Sequence, residues 1–223
     1  MSAHEHPTVE QSDAAFRYGV IFLIILMLVL FEIVGPAGDG ERAIAIALAG
    51  AALIVAVATR RTRARSRSQL SLALSAVVVL LVVLVATGIV SAAFTHAVMT
   101  LLVLAIPATL IRGLLRLTRE RGVTAQAVAG SLSIYLMLGL LFASVIGFAA
   151  EVASRPYFAQ GAGVSNGDRV YYSFTVLTTT GFGDYSAAIP VGHAIAVLEM
   201  LTGQLYLVTV IGVLIGHYIG RSK

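Results

Sequence analysis

Cysteine is absent from the 223 residues, so neither a disulfide framework nor thiol chemistry is open to this chain. Charge is scarce: Asp, Glu, Lys and Arg together make only 12% of the sequence. The acids number 11 against 15 bases, and none stands between Glu41 and Glu120. With 58% hydrophobic residues and a mean hydropathy of +0.93, the long uncharged runs exclude an ordinary soluble domain and point to a membrane protein. No nucleophile–base pair and no metal-ligand spacing occurs, which argues against an enzyme. Net charge +4 and a pI near 9.7 would suit nucleic acid. The arginines, however, lie in short runs between apolar segments without interleaved aromatics, so no nucleic-acid partner is expected.

What remains is six apolar runs, at 18–34, 43–59, 70–90, 97–117, 128–150 and 191–219. Even the second, at a helical rise of 1.5 Å per residue, reaches about 26 Å, short but sufficient for a bilayer core. The polar segment 1–16 reads as a loose tail, in which a metal site at His4 and His6 is the lesser reading. Pro36, Gly38, Asp39 and Gly40 follow the first run without a small-x-small cleavage site, so that run is expected to be retained. The division expected is a cytoplasmic tail at 1–17, a four-helix membrane domain at 18–122 and a pore domain at 123–223.

Positive charge sets the orientation. Arg17, the five arginines between runs two and three, four around the junction of runs four and five, and Arg221 with Lys223 lie on one side. Arg42, Arg155 and Arg169 lie on the other. Both termini are therefore expected in the cytoplasm, in a multi-pass plasma-membrane protein. Arg60, Arg61, Arg63, Arg65 and Arg67 serve this orientation, and the same residues are compatible with anionic lipid, at about 1 kcal/mol per charge near a surface. Arg112, Arg116, Arg119 and Arg121 are crowded at one end of the fourth run without a repeated spacing of three. Runs two and three offer them no acidic partners, so a voltage sensor is disfavoured.

Between the fifth and sixth runs stands Thr178-Thr179-Thr180-Gly181-Phe182-Gly183-Asp184. A dehydrated K⁺ needs its water shell replaced by oxygens, and rings of backbone carbonyls can supply them. Aiming successive carbonyls at one axis requires a backbone that alternates between ordinary and left-handed conformations, and Gly181 and Gly183 take the second kind at no steric cost. One chain gives one carbonyl per ring, so several chains must share an axis.

From Val128 onward the chain resembles the two-helix pore module of the tetrameric potassium-channel superfamily. The resemblance implies an all-α membrane protein of six transmembrane helices, with a re-entrant pore helix and a selectivity filter between helices five and six. It implies K⁺ held by Thr179, Thr180, Gly181, Phe182 and Gly183, the metal sites lying at Thr179, Thr180, Gly181 and Phe182. Thr175, Thr178, Asp184, Tyr171 and Tyr172 would support the filter, although the two tyrosines read nearly as well as interfacial belt residues. The partners implied are three identical subunits and membrane lipid. No cofactor is implied beyond the permeant potassium ions.

Ser165-Asn166-Gly167-Asp168 supplies cap candidates for the pore helix, which is expected to run to Thr178. The chain departs from the family's commonest pattern at three places. Thr175 stands where some relatives carry a Glu that bonds the filter Asp, Thr180 replaces Val or Ile, and Phe182 replaces Tyr. A weakly selective cation channel is therefore the nearest alternative; a non-conducting scaffold or transporter is the more distant one. In the sixth run Gly203 resembles a gating hinge, and Gln204, Leu207, Ile211 and Ile215 are pore-lining and gate candidates. Gly212, Gly216 and Gly220 form a small-residue face that suits either close packing or a flexible inner gate. Glu199 is the sole acid of that run and is expected to hydrogen-bond the back of the pore helix.

Overall fold

The computed structural model describes residues 9–35, 39–58, 64–89, 92–121, 124–161 and 163–212. They form helices α1 (Val9–Val34), α2 (Asp39–Ala58), α3 (Ala64–Ala86), α4 (Ala92–Arg121), α5 (Ala125–Val152), α6 (Asn166–Leu177) and α7 (Pro190–Tyr206). A π-helical segment, Leu207–Ile211, continues α7. Among the described residues there is no β-strand, only isolated bridges at Phe158. Helices are the economical solution for such sequences, because a backbone in lipid must satisfy its hydrogen bonds internally.

Several helices outrun the apolar stretches that announced them. α1 starts inside the segment expected to be a loose tail, and α3 starts within the arginine cluster. Once a helix is nucleated each further residue adds a hydrogen bond, so polar flanks are carried along. α5 also begins earlier than expected, at Ala125, where Thr124 caps it by accepting from the Ala127 N–H. α4 stays helical through Pro107. Arg60, Arg61 and Arg63 lie outside the described residues; Arg65 and Arg67 fall on α3, and Arg112, Arg116, Arg119 and Arg121 on α4.

Two helical stretches are long and apolar enough to cross a membrane, Ala127–Val152 and Pro190–Val210. Shorter apolar stretches occupy Tyr18–Val34, Ala43–Val57, Leu72–Ala86 and Val98–Ile111. α5 is the centre of the architecture: α1, α4, α6 and α7 all pack on it, while α2 joins α1, α3 and α4. The main core contains Ile21, Ile25 and Leu28 of α1, Ile46 of α2, Ile106 and Leu110 of α4 and Met137 of α5, all fully buried. α2 brings Ala45, Ala49, Ala52 and Ala56 to this core, a small-residue stripe of the kind that lets helices approach closely where lipid gives no hydrophobic drive.

The short helix α6 lies against α5, α7 and the end of α1. Glu32 of α1, buried, takes a hydrogen bond from the Asn166 side chain in the first turn of α6. A carboxylate there favours the partially positive helix start. α1 therefore touches α6 directly.

Candidate functional site

α6 is fixed at both ends. Ser165 is its N-cap: the hydroxyl accepts from the Asp168 N–H at 3.1 Å, while the Asp168 carboxylate accepts the Ser165 N–H at 3.0 Å. Burial pushes the Asp168 carboxyl up, but hydrogen bonds from the Ser165 hydroxyl and N–H, with another from Tyr185, outweigh it and hold it below its ordinary value. At the other end Thr178 is the C-cap, with its N–H bonded to the Phe174 carbonyl. The helix thus occupies the span expected from its sequence.

Beyond Thr178 the backbone changes hand at every second residue. Thr179 has φ +58°, Gly181 +53° and Gly183 +82°, whereas Thr180 and Phe182 between them stay out of the positive region. The glycines are as expected; Thr179 is an addition, since a β-branched residue with positive φ is a genuine outlier that its surroundings must hold. They do so through its hydroxyl, which donates to the Thr178 carbonyl at 2.7 Å and accepts from Gln204 Nε2 at 2.9 Å. The Gly181 N–H reaches back to the Thr175 carbonyl at 3.1 Å. Thr180, the residue that departs from the family's usual Val or Ile, has its hydroxyl 2.8 Å from that of Thr178. Thr178 gives its own proton to the Phe174 carbonyl at 2.7 Å, so Thr180 is the donor in that pair.

Aromatic rings pack around this segment. Tyr171 and Phe182 lie parallel with centroids 6.4 Å apart, and Tyr171 meets Tyr185 edge-on at 6.1 Å. Tyr171 hydrogen-bonds the Asp184 carboxylate, which raises the phenol's pKa; Tyr185 does the same with Asp168. Thr175 offers Asp184 no carboxyl and gives its hydroxyl to the Tyr172 carbonyl at 2.8 Å; the Asp184 carboxylate has the Tyr171 hydroxyl as its neighbour. Tyr172 is buried and packs edge-on against Phe158 at 5.1 Å.

Sequence reasoning missed the strap around this mouth. Gln160 donates to the Asp184 carbonyl at 2.6 Å and accepts the Ser186 N–H at 3.2 Å. The Ala159 N–H bonds the Ser186 carbonyl, and the Ala188 N–H bonds the Tyr157 carbonyl. The segment after α5 thus pairs with the segment after Asp184, although no motif in it gave notice.

Behind the site, Glu199 of α7 is fully buried and meets Ser173 of α6, as the sequence led one to expect. Gly203 of α7 is buried directly against the Leu177 carbonyl at the foot of α6, closer than any side chain would permit. The sequence suggested a hinge at this glycine, and the structure supplies a packing reason for it. Of the lining candidates, Gln204 is brought to the inner end of the row by its bond to Thr179. Leu207 and Ile211 bound the π-helical segment, Ile215 lies outside the described residues, and so do Gly216 and Gly220.

Among the described residues no cluster of three or more His, Cys, Asp or Glu that could hold a metal ion occurs. No curated protein and no solved structure matches the chain. Residues 132–218, which hold α6, the alternating segment, α7 and most of α5, match the family model described as "Ion channel". Across those residues the chain carries an ion channel domain.

Proposed function

We propose that this ion channel domain is the pore of a homotetrameric, K⁺-selective channel. The observation that carries the reading is the alternation of positive φ at Thr179, Gly181 and Gly183. Alternating hands turn successive carbonyls to one side, the geometry needed to replace the hydration shell of K⁺. The K⁺ ligands are the carbonyls of Thr179, Thr180, Gly181 and Phe182, with the Thr179 hydroxyl at the inner end. Four copies close the rings. Apolar side chains of α7, among them Val197, Leu198, Leu201, Leu205 and Val208, are exposed on the single chain and offer surface to neighbouring copies and lipid.

The four shorter apolar stretches, each about 21–26 Å long at helical rise, complete six spans. Both termini then face the cytoplasm, and the Tyr171–Asp184 mouth faces outside, in the plasma membrane. The inner gate lies in the π-helical segment or below it, because π-turns concentrate at functional breaks in helices.

A second reading, a weakly selective cation channel, draws on Phe182. Its ring is 70% exposed on the single chain and can stack on Tyr171 but cannot hydrogen-bond. Liposome flux separates the two. The proposal expects K⁺ and Rb⁺ to cross while Na⁺ is excluded, from a particle with the mass of four copies. Equal Na⁺ and K⁺ flux would favour the second reading, and a non-conducting monomer would defeat both.

A further inference from the structure

The Ser173 hydroxyl is a point of contact between three elements. Its oxygen lies 2.7 Å from the Gly139 carbonyl of α5 and 2.5 Å from Glu199 Oε1 of α7. A hydroxyl has one proton to give, and the Gly139 carbonyl has none. Each contact has a proton of its own when the Glu199 carboxyl supplies the second one and Ser173 passes its own to Gly139. With an ionised Glu199, the single Ser173 proton would have to be divided between two acceptors. The other carboxylate oxygen, Oε2, is buried with no hydrogen-bond partner, which is far costlier for a charged group than for a neutral one.

The groups around Glu199 do not offset a charge. From α6 it faces Ser173 and Tyr172, from α5 Tyr135, and from the loop after α5 Tyr157; all are hydroxyls, and no cation acts on it among the described residues. Tyr135 is itself engaged with the Leu177 carbonyl at 3.3 Å.

We propose that Glu199 is a positioning residue that works as the neutral acid: its proton joins α7 to Ser173 of the pore helix, and losing that proton loosens the pore helix and closes conduction. The inference rests on the channel reading above and adds to it a dependence on pH. Raising the pH removes the donor, so activity is present in acid and is lost as alkali deprotonates the carboxyl. Glu199→Gln retains a donor that cannot be titrated away; Glu199→Ala has none.

The test uses the full-length protein in liposomes with the pH changed on both sides, and measures K⁺ flux beside infrared difference spectra of wild type minus Glu199→Gln. The proposal expects wild-type flux to fall reversibly with rising pH, Glu199→Gln to stay active throughout, and Glu199→Ala to be lost at every pH. It also expects a protonated-carboxyl stretch in the difference spectrum that disappears over the same pH range as the flux. Parallel pH profiles for wild type and Glu199→Gln, or a spectrum with no such band, would overturn it. If nothing conducts at any pH the channel reading fails, while the infrared band still decides the proton on Glu199.

Discussion

Gly203 of α7 faces the carbonyl oxygen of Leu177 so closely that a single added methyl group would overlap it. α6 ends at Leu177, and the alternating segment begins two residues later, so this contact sets the height of that segment on α7. Gly203→Ala must push α7 away from backbone, which cannot rotate aside as a side chain can. Overpacking of this kind costs about 1–3 kcal/mol. The variant is expected to show a lowered tetramer melting temperature and reduced K⁺ flux. A hinge role alone would leave the melting temperature unchanged, so the two measurements together separate packing from bending.

Gly183 has φ +82°, a conformation largely closed to other residues, and its neighbourhood leaves open space where a side chain would go. The fault in Gly183→Ala is therefore one of backbone conformation and not of crowding. Loss of K⁺ flux with an intact tetramer on size-exclusion is the expected result. Unchanged selectivity would remove the filter assignment.

Tyr171 links Asp184 to the pore helix through its hydroxyl and stacks on Phe182 through its ring. Tyr171→Phe keeps the stack and removes the hydrogen bond. K⁺ currents from this variant should decline during sustained recording faster than those of wild type, while single-channel conductance is retained. An identical time course would show that the bond does not hold the filter open.

Ser186 lies two residues past Asp184, where four aromatic side chains would ring the mouth of the proposed pore, and its backbone N–H is held by Gln160. Tyr185 turns back to Asp168, so it is not free to supply that ring. External tetraethylammonium should block wild type weakly, and Ser186→Tyr should strengthen block by about 0.5–2 kcal/mol per cation–π contact. Strong wild-type block that survives Ser186→Ala would assign the mouth to another residue.

The pore half was legible in the sequence because its constraints are local. Ser165 and Asp168 announce a cap by type and spacing, and Gly181 and Gly183 announce left-handed backbone. Glu199 stood out as a lone acid in an apolar run, and its bond to Ser173 followed from placing it behind the pore helix. What could not be read depends on distant residues meeting. Gln160 is one polar residue in a loop, and nothing in its neighbours says that it will strap Asp184 and Ser186. The positive φ of Thr179 runs against its residue type, and becomes intelligible only with Gln204 in place. Nothing around Tyr171 in the sequence shows that its hydroxyl will meet Asp184. The start of α1 at Val9 shows the opposite failure, in which polarity hid a helix that apolar neighbours had already nucleated.

The central claim, a K⁺-selective pore, is tested most directly by the reversal potential across a planar bilayer with K⁺ on one side and Na⁺ on the other. The account predicts a large reversal potential that follows K⁺ alone, moving by about 59 mV for each tenfold change in K⁺. A reversal potential near zero, unmoved when Na⁺ replaces K⁺, would contradict it.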